Sequence, residues 1–98
     1  MIAIDGLDPG IAKYVEGLRS QGVDTFESCE GGPGHTYAEP TVAFRGSAYA
    51  GFQALGIALE MGFPVRDLRR VWKVDRGEPR GPVWEMTFSC CSTADQTA

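Results

Sequence analysis

The sequence predicts an α+β fold, a two-layer sandwich in which two helices cover one face of a four-stranded, mainly antiparallel sheet. A chain of 98 residues with 43% hydrophobic and 22% charged residues is a single globular domain of ordinary composition. Apolar residues recur at helical or strand spacing in the order αββαββ. Short connections make consecutive strands antiparallel, and two amphipathic helices can then share one apolar sheet face.

The first half predicts one helix and two strands. Asp8 and Pro9 are residue types that begin a helix, and Gly22 is a type that ends one, so a helix is expected over residues 8–21. Its apolar stripe is Ile11, Val15 and Leu18. The stretches "VDTFES" (23–28) and "TVAFR" (41–45) mix β-branched, aromatic and polar residues in the manner of strands.

The second half repeats this order. Ser47 is a residue type that caps helices and predicts a helix that runs to about Met61, with its core stripe at Phe52, Leu55 and Leu59 and its end at Gly62. One turn of helix is expected between Val65 and Leu68.

A hairpin closes the domain. "VWKV" (71–74) is the third strand and "VWEMTF" (83–88) the fourth, with Trp84, Met86 and Phe88 on one face and Glu85 on the other. The Gly, Pro and charged residues between them, "DRGEPRGP" (75–82), are typical of a turn. The domain is expected to span residues 1–89, and residues 90–98 form a flexible tail.

Composition excludes several classes of protein. A net charge of -4 argues against nonspecific nucleic-acid binding, which needs a basic surface. No apolar run approaches the roughly 20 residues of a membrane span, and the first residues do not have the pattern of a secretory signal, so a cytoplasmic location without membrane binding is expected. Three cysteines, two of them adjacent, do not predict a disulfide framework.

The connection between the first two strands is the main candidate site. At about ten residues it is long for a hairpin loop, and loops of that length are often functional. Gly31, Gly32 and Gly34 allow backbone amides to approach a bound anion, as in phosphate-binding nests. The alternative is a purely conformational role for these glycines.

Several side chains in the loop invite a chemical interpretation. Cys29 as nucleophile and His35 as its base would make a thiol-dependent enzyme, whereas a buried Cys29 would act as a small hydrophobe. One Cys and one His are too few for a structural zinc site, so no metal and no cofactor are predicted. Tyr37 could stack on a planar ligand. Cys29 and His35, together with Ser28, Glu30, Tyr37 and the glycines, form the candidate ligand wall over residues 28–39.

A basic segment follows the second helix. Residues 66–80 hold six Lys or Arg against three Asp or Glu. Arg66, Arg69 and Arg70 have spacings that would place at least two on one side of a helical turn, where guanidinium groups suit carboxylate or phosphate. Alternatively, the basic residues pair with neighbouring acids, namely Asp67, Asp75 and Glu78.

The stretches "TFESCEGGPGHTYAEPTVAF", "GFQALGIALEMGFPVRDLRRVW" and "GPVWEMTF" resemble a group of short proteins from bacterial and temperate-phage genomes. The resemblance covers roughly residues 7–88 and implies no activity. Ser28, Cys29, Glu30 and Gly31 are also similar to a Ser-Cys-x-Gly turn of the wybutosine-synthesis methyltransferase family. That similarity is four residues long and transfers no cofactor binding.

Three functional hypotheses follow. The leading one is a small non-enzymatic protein that binds a small anionic or nucleotide-like ligand at the Gly-rich loop, with the arginines supplying charge. If the phage resemblance holds, the ligand would be a host signalling nucleotide that the protein sequesters. The others are a Cys29/His35 enzyme and an interaction module that forms a homodimer through an open sheet face or an edge strand.

Overall fold

The computed structural model describes residues 9–29, 31 and 39–89, and in these residues the predicted order of elements is confirmed. The two helices and four strands are α1 (Pro9–Ser20), β1 (Asp24–Cys29), β2 (Thr41–Arg45), α2 (Ala48–Glu60), β3 (Val65–Asp75) and β4 (Glu78–Phe88). The strands form one antiparallel sheet in the order β1-β2-β4-β3. The predicted tail, residues 90–98, lies outside the described residues.

The core lies between the helices and one face of the sheet, which we call the helix face. It is built from α1, α2 and the central strands, and its buried residues are Ile11, Tyr14, Val15, Leu18, Val42, Phe44, Ala54, Ala58, Trp84, Met86 and Phe88. We call the opposite face of the sheet the polar face. By register and alternation the polar face carries Glu27, Cys29, Thr41, Ala43, Glu85 and Thr87. Within the described residues, neither helix is long and apolar enough to cross a membrane.

Both helices end with the same local structure. The N–H of Gly22 donates to the carbonyl oxygen of Arg19, and that of Gly62 donates to Leu59, each over 3.0 Å and each with the glycine at positive φ. The next residue, Val23 or Phe63, bonds back five positions and packs against the core. This is the Schellman arrangement, in which glycine and a following apolar residue end the helix.

The predicted core stripe of α2 is wrong at Phe52 and Leu59, whereas Leu55 is partly buried and packs against the core. The structure buries Gly51, Ala54 and Ala58 and leaves Phe52 and Leu59 more than half exposed. The reason is the bulk of Trp84, whose ring lies so close to α2 that a Cβ at Gly51 would be 2.2 Å from it. The helix therefore turns its small residues toward the sheet.

The predicted helical turn at residues 65–68 is also wrong, because β3 already begins at Val65. Val65 lies opposite Phe88 and Leu68 opposite Met86, so pairing with β4 determines the conformation of this segment. A bulge between Val65 and Asp67 inserts one residue and interrupts the alternation by which a strand is recognised.

The predicted turn at residues 75–82 is shorter in the structure. Only Arg76 and Gly77 form it, both at positive φ, as in the two-residue type I′ hairpin turn. β4 begins at Glu78, so residues 78–82 belong to a strand, and a second register shift occurs beside them between Val71 and Lys73.

Candidate functional site

The ends of the Gly-rich loop meet beside the polar face, at a point that we call the loop neck (Cys29, Gly31, Glu39 and Pro40). The N–H of Gly31 donates to Sγ of Cys29 over 3.4 Å. A Cβ on Gly31 would lie 2.5 Å from the carbonyl carbon of Glu39, so the backbones of the two limbs touch and no side chain fits between them. At this position glycine allows a close approach of backbone to backbone.

The remaining loop positions of the predicted site lie outside the described residues. They are Glu30, Gly32, Gly34, His35 and Tyr37. Cys29 lies within the described residues and is half-buried. Its proposed base, His35, lies outside them, so the thiol-enzyme hypothesis stays a prediction.

A row of polar side chains crosses all four strands beside the loop neck. Cys29 lies opposite Thr41, Thr41 opposite Thr87, and Thr87 opposite Asp67. Thr41 and Thr87 are buried, and the hydroxyl of Thr41 donates to the carbonyl oxygen of Glu39 over 2.8 Å. Oδ1 of Asp67 is buried without a hydrogen bond, and Nε of Arg69 is 3.9 Å away. This end of the polar face is thus lined with thiol, hydroxyl and carboxylate groups.

The other predicted site residues are spread over both faces. Ser28 lies opposite Val42 on the helix face, away from its neighbour Cys29. The expected cluster of arginines does not form, because these residues lie on a strand and successive side chains of a strand point to opposite faces.

Each of the three arginines has a different environment. Arg66 reaches the loop neck, where its Nη1 is 2.5 Å from Oε2 of Glu39. Arg69 lies opposite Glu85 on the polar face, and Arg70 lies opposite Trp84 on the helix face, its guanidinium 5.4 Å from the ring centroid. Only Arg66 therefore contacts the neck residues.

A concavity lies at the other end of the polar face. It is a groove of about 660 Å³ between the beginning of β1, the end of β2 and the β3–β4 hairpin. Its lining residues are Phe26, Glu27, Arg45, Lys73, Asp75, Arg80, Gly81, Pro82 and Val83. None of them belongs to the predicted site.

An arginine stacked on an aromatic ring forms one wall of the groove. The guanidinium carbon of Arg45 is 4.2 Å from the ring centroid of Phe26, within the range of a cation–π contact. Nη1 of Arg45 is also 3.7 Å from Oδ1 of Asp24, and both side chains are more than half exposed. Phe26 reaches this position because a register shift between Thr25 and Glu27 inserts one residue into β1.

A buried ion pair borders the opposite side of the groove. Nζ of Lys73 is 2.5 Å from Oε2 of Glu85, whose side chain is only 9% exposed. A carboxylate that is removed from water needs a charged or hydrogen-bonding partner, which Lys73 provides from the neighbouring strand. Arg80 lies at the rim, where its contacts with Asp75 and Glu78 are long, at 4.0 and 3.9 Å. The predicted pairing of the basic segment with neighbouring acids is found here and between Arg69 and Asp67.

The sequence held only weak signals for these residues. Glu85 was visible as a carboxylate within the apolar strand "VWEMTF", on the face opposite the core residues. Phe26 and Arg45 come from two strands, and their meeting depends on a bulge that no residue pattern marks.

The groove combines a flat aromatic wall, guanidinium and ammonium donors, and two carboxylate acceptors. Such a set can hold a small molecule that has a planar part, an anionic group and hydrogen-bond donors. In the part of the chain that the structure describes, no group of three or more His, Cys, Asp or Glu side chains could hold a metal ion. Comparisons of the chain with protein-family models, curated proteins and solved structures found no match.

Proposed function

We propose that this protein is a small non-enzymatic binding protein that holds a planar, anionic, nucleotide-like ligand in the groove of the polar face. The observation that carries the proposal is the stack of Arg45 on Phe26 inside a groove that Lys73 and Arg80 also line. Its volume of about 660 Å³ is within the range of small-molecule pockets, about 300–1,000 Å³.

The anionic group of the ligand is recognised by Arg45. A guanidinium offers a planar set of N–H donors that matches phosphate or carboxylate, and its stacking on Phe26 holds that plane in place. Its contact with Asp24 is long and exposed, and exposed pairs contribute about 0–1 kcal/mol. A ligand phosphate can therefore replace Asp24 as the partner of Arg45 at a small cost in free energy.

The carboxylates of the groove restrict the class of anion. Glu27 and Asp75 line the same space as the cations and repel a ligand with several negative charges. They also accept hydrogen bonds from hydroxyl or amino groups. A nucleoside monophosphate, with one phosphate, a sugar and a planar base, fits this balance better than a triphosphate or inorganic phosphate.

Calorimetric titration with nucleoside 5′-monophosphates, the corresponding nucleosides and inorganic phosphate tests the proposal. A monophosphate is expected to bind more tightly than either part alone. Arg45→Ala is expected to weaken its binding about tenfold or more, because a charge-assisted hydrogen bond contributes about 1.5–3 kcal/mol.

Lys13→Ala is the matched control. Lys13 is also a cation beside an aromatic ring, 5.2 Å from the centroid of Tyr14, but it lies on α1, outside the groove. Its removal changes the net charge equally and is expected to leave binding unchanged. Absence of binding to wild-type protein, or equal losses in the two variants, would contradict the proposal.

A further inference from the structure

β3 is a long strand at the edge of the sheet. It runs for 11 residues, and within the described parts of the chain its only partner is β4. An edge strand presents a row of N–H and C=O groups that can pair with another strand. Its beginning carries an inserted residue between Val65 and Asp67. At the second register shift, between Val71 and Lys73, the inserted residue belongs to β4, so the second half of β3 has no insertion of its own and is the part available for pairing.

This half of β3 also carries exposed apolar side chains. Lys73 contacts Glu85 on the polar face, so its neighbours Trp72 and Val74 point to the helix side of the sheet. There Trp72 is 60% exposed and Val74 is 74% exposed. Tryptophan is enriched at the centres of protein interfaces, and two exposed apolar residues beside a strand edge are a surface suited to a protein partner.

The sequence of β3 is self-complementary when it is paired antiparallel to itself about Trp72. Arg69 then lies opposite the partner's Asp75, Arg70 opposite the partner's Val74, and Trp72 opposite the partner's Trp72. Opposite charges meet on the polar face, and the two indole rings meet on the helix side. We infer that β3 pairs in this way with a second copy of the chain, joining two four-stranded sheets across a twofold axis.

Neighbouring registers are less favourable. An axis at Arg70 places two arginines directly opposite each other. An axis at Val71 places Arg69 opposite the partner's Lys73 and Asp67 opposite the partner's Asp75. An axis at Lys73 places two lysines opposite each other, and an axis at Val74 pairs only residues 73–75, because β3 ends at Asp75. Like charges directly opposite each other destabilise a strand pair, so charge and the length of the paired segment together select the axis at Trp72.

The paired segment, residues 69–75, is short. Stable complexes bury about 800 Å² per partner, and a single strand pair with one tryptophan contact is smaller than that. The dimer is therefore expected to exchange with monomer, and its population to rise with protein concentration.

Charge exchange provides the first test. Sedimentation equilibrium of the wild-type protein is expected to show a monomer–dimer equilibrium. Arg69→Asp and Asp75→Arg each place like charges opposite each other and are expected to weaken the dimer about tenfold, whereas the double variant R69D/D75R restores it. Circular dichroism melting curves check that each variant is folded. A wild-type monomer at every concentration, or a double variant no better than the single variants, overturns the inference.

A disulfide trap provides the second test, in protein whose Cys29, Cys90 and Cys91 are replaced by Ser. Residues on the axis have Cα atoms about 4.5–5.5 Å apart, which a disulfide can bridge. Trp72→Cys is expected to give a covalent dimer on oxidation. Val74 is more exposed than Trp72 in the wild-type protein, but it lies two residues from the axis. Val74→Cys is therefore expected to cross-link poorly. Equal cross-linking of the two variants overturns the assigned axis.

Discussion

Two arginines lie against aromatic rings on opposite faces of this sheet, and the two rings differ in how deeply they are buried. Trp84 is almost fully buried, so Arg70 covers a core residue and lies at the helix-side edge of the sheet beside the exposed Trp72. Phe26 is only half-buried and lines a groove, so Arg45 presents its guanidinium to that space. The same pair of groups thus covers the core on one face and lines a groove on the other.

The largest difference between the two stacks is expected when the rings are removed. Trp84→Ala removes a buried ring that also donates from Nε1 to the carbonyl oxygen of Ser47, and a loss of about 4 kcal/mol in unfolding free energy is expected. Phe26→Ala is expected to lose about 1 kcal/mol because its ring is half-exposed. Urea denaturation measures both, and similar losses would contradict the contrast between core and groove.

The next largest loss of stability is expected from a change that disturbs the packing of Trp84 against α2. Gly51→Ala places a Cβ 2.2 Å from the indole ring and is expected to destabilise the protein by about 2 kcal/mol. Gly56→Ala, in the same helix but with open space around its Cβ, is expected to stabilise it by about 0.5–1 kcal/mol. Equal shifts in the urea midpoint would show that helix propensity, rather than packing on Trp84, determines the result.

On the polar face, the ion pair beside the groove is expected to contribute less to the free energy of unfolding than the core residues do. Lys73→Met removes the cation next to the buried Glu85, and because Lys73 is itself one-third exposed we expect a loss of about 1–2 kcal/mol. Arg80→Met is the control, since its ion pairs are exposed and long, and its loss is expected below about 0.5 kcal/mol. Thermal unfolding at neutral pH distinguishes the two, and an equal loss argues against a buried pair.

Within the two stacks, the arginines are expected to contribute less to stability than the rings. Arg45→Ala and Arg70→Ala should each lose about 0.5 kcal/mol, the size of an exposed cation–π contact. Their effects on function should differ, because only Arg45→Ala is expected to weaken binding of a nucleoside monophosphate. If Arg70→Ala weakens binding as much, the assignment of the ligand to the polar face is wrong.

The fold was predictable where local signals suffice. Gly22 and Gly62 end helices through bonds within a few residues, and Ser47 caps α2 by accepting a hydrogen bond from the N–H of Ala50. The sequence failed where a distant partner decides the structure. Phe52 has the size of a core residue, but Trp84, 32 positions away in the chain, admits only the small face of α2.

The groove was less predictable than the fold. Phe26 and Arg45 meet only because a bulge shifts the register of β1, and Lys73 and Glu85 are 12 positions apart on paired strands. A residue pattern carries neither the register nor the bulge. The Gly-rich loop gave the stronger local signal, and the described part of it, the loop neck, lies at the opposite end of the polar face from the groove.

The most direct test of the account is a titration of ¹⁵N-labelled protein with a nucleoside 5′-monophosphate, followed by amide chemical shifts. The proposed function predicts that shift changes cluster at Phe26, Glu27, Arg45 and Val83, which line the groove. Changes confined to Cys29, Gly31 and Thr41 at the loop neck, or no changes at all, would contradict a ligand site in the groove.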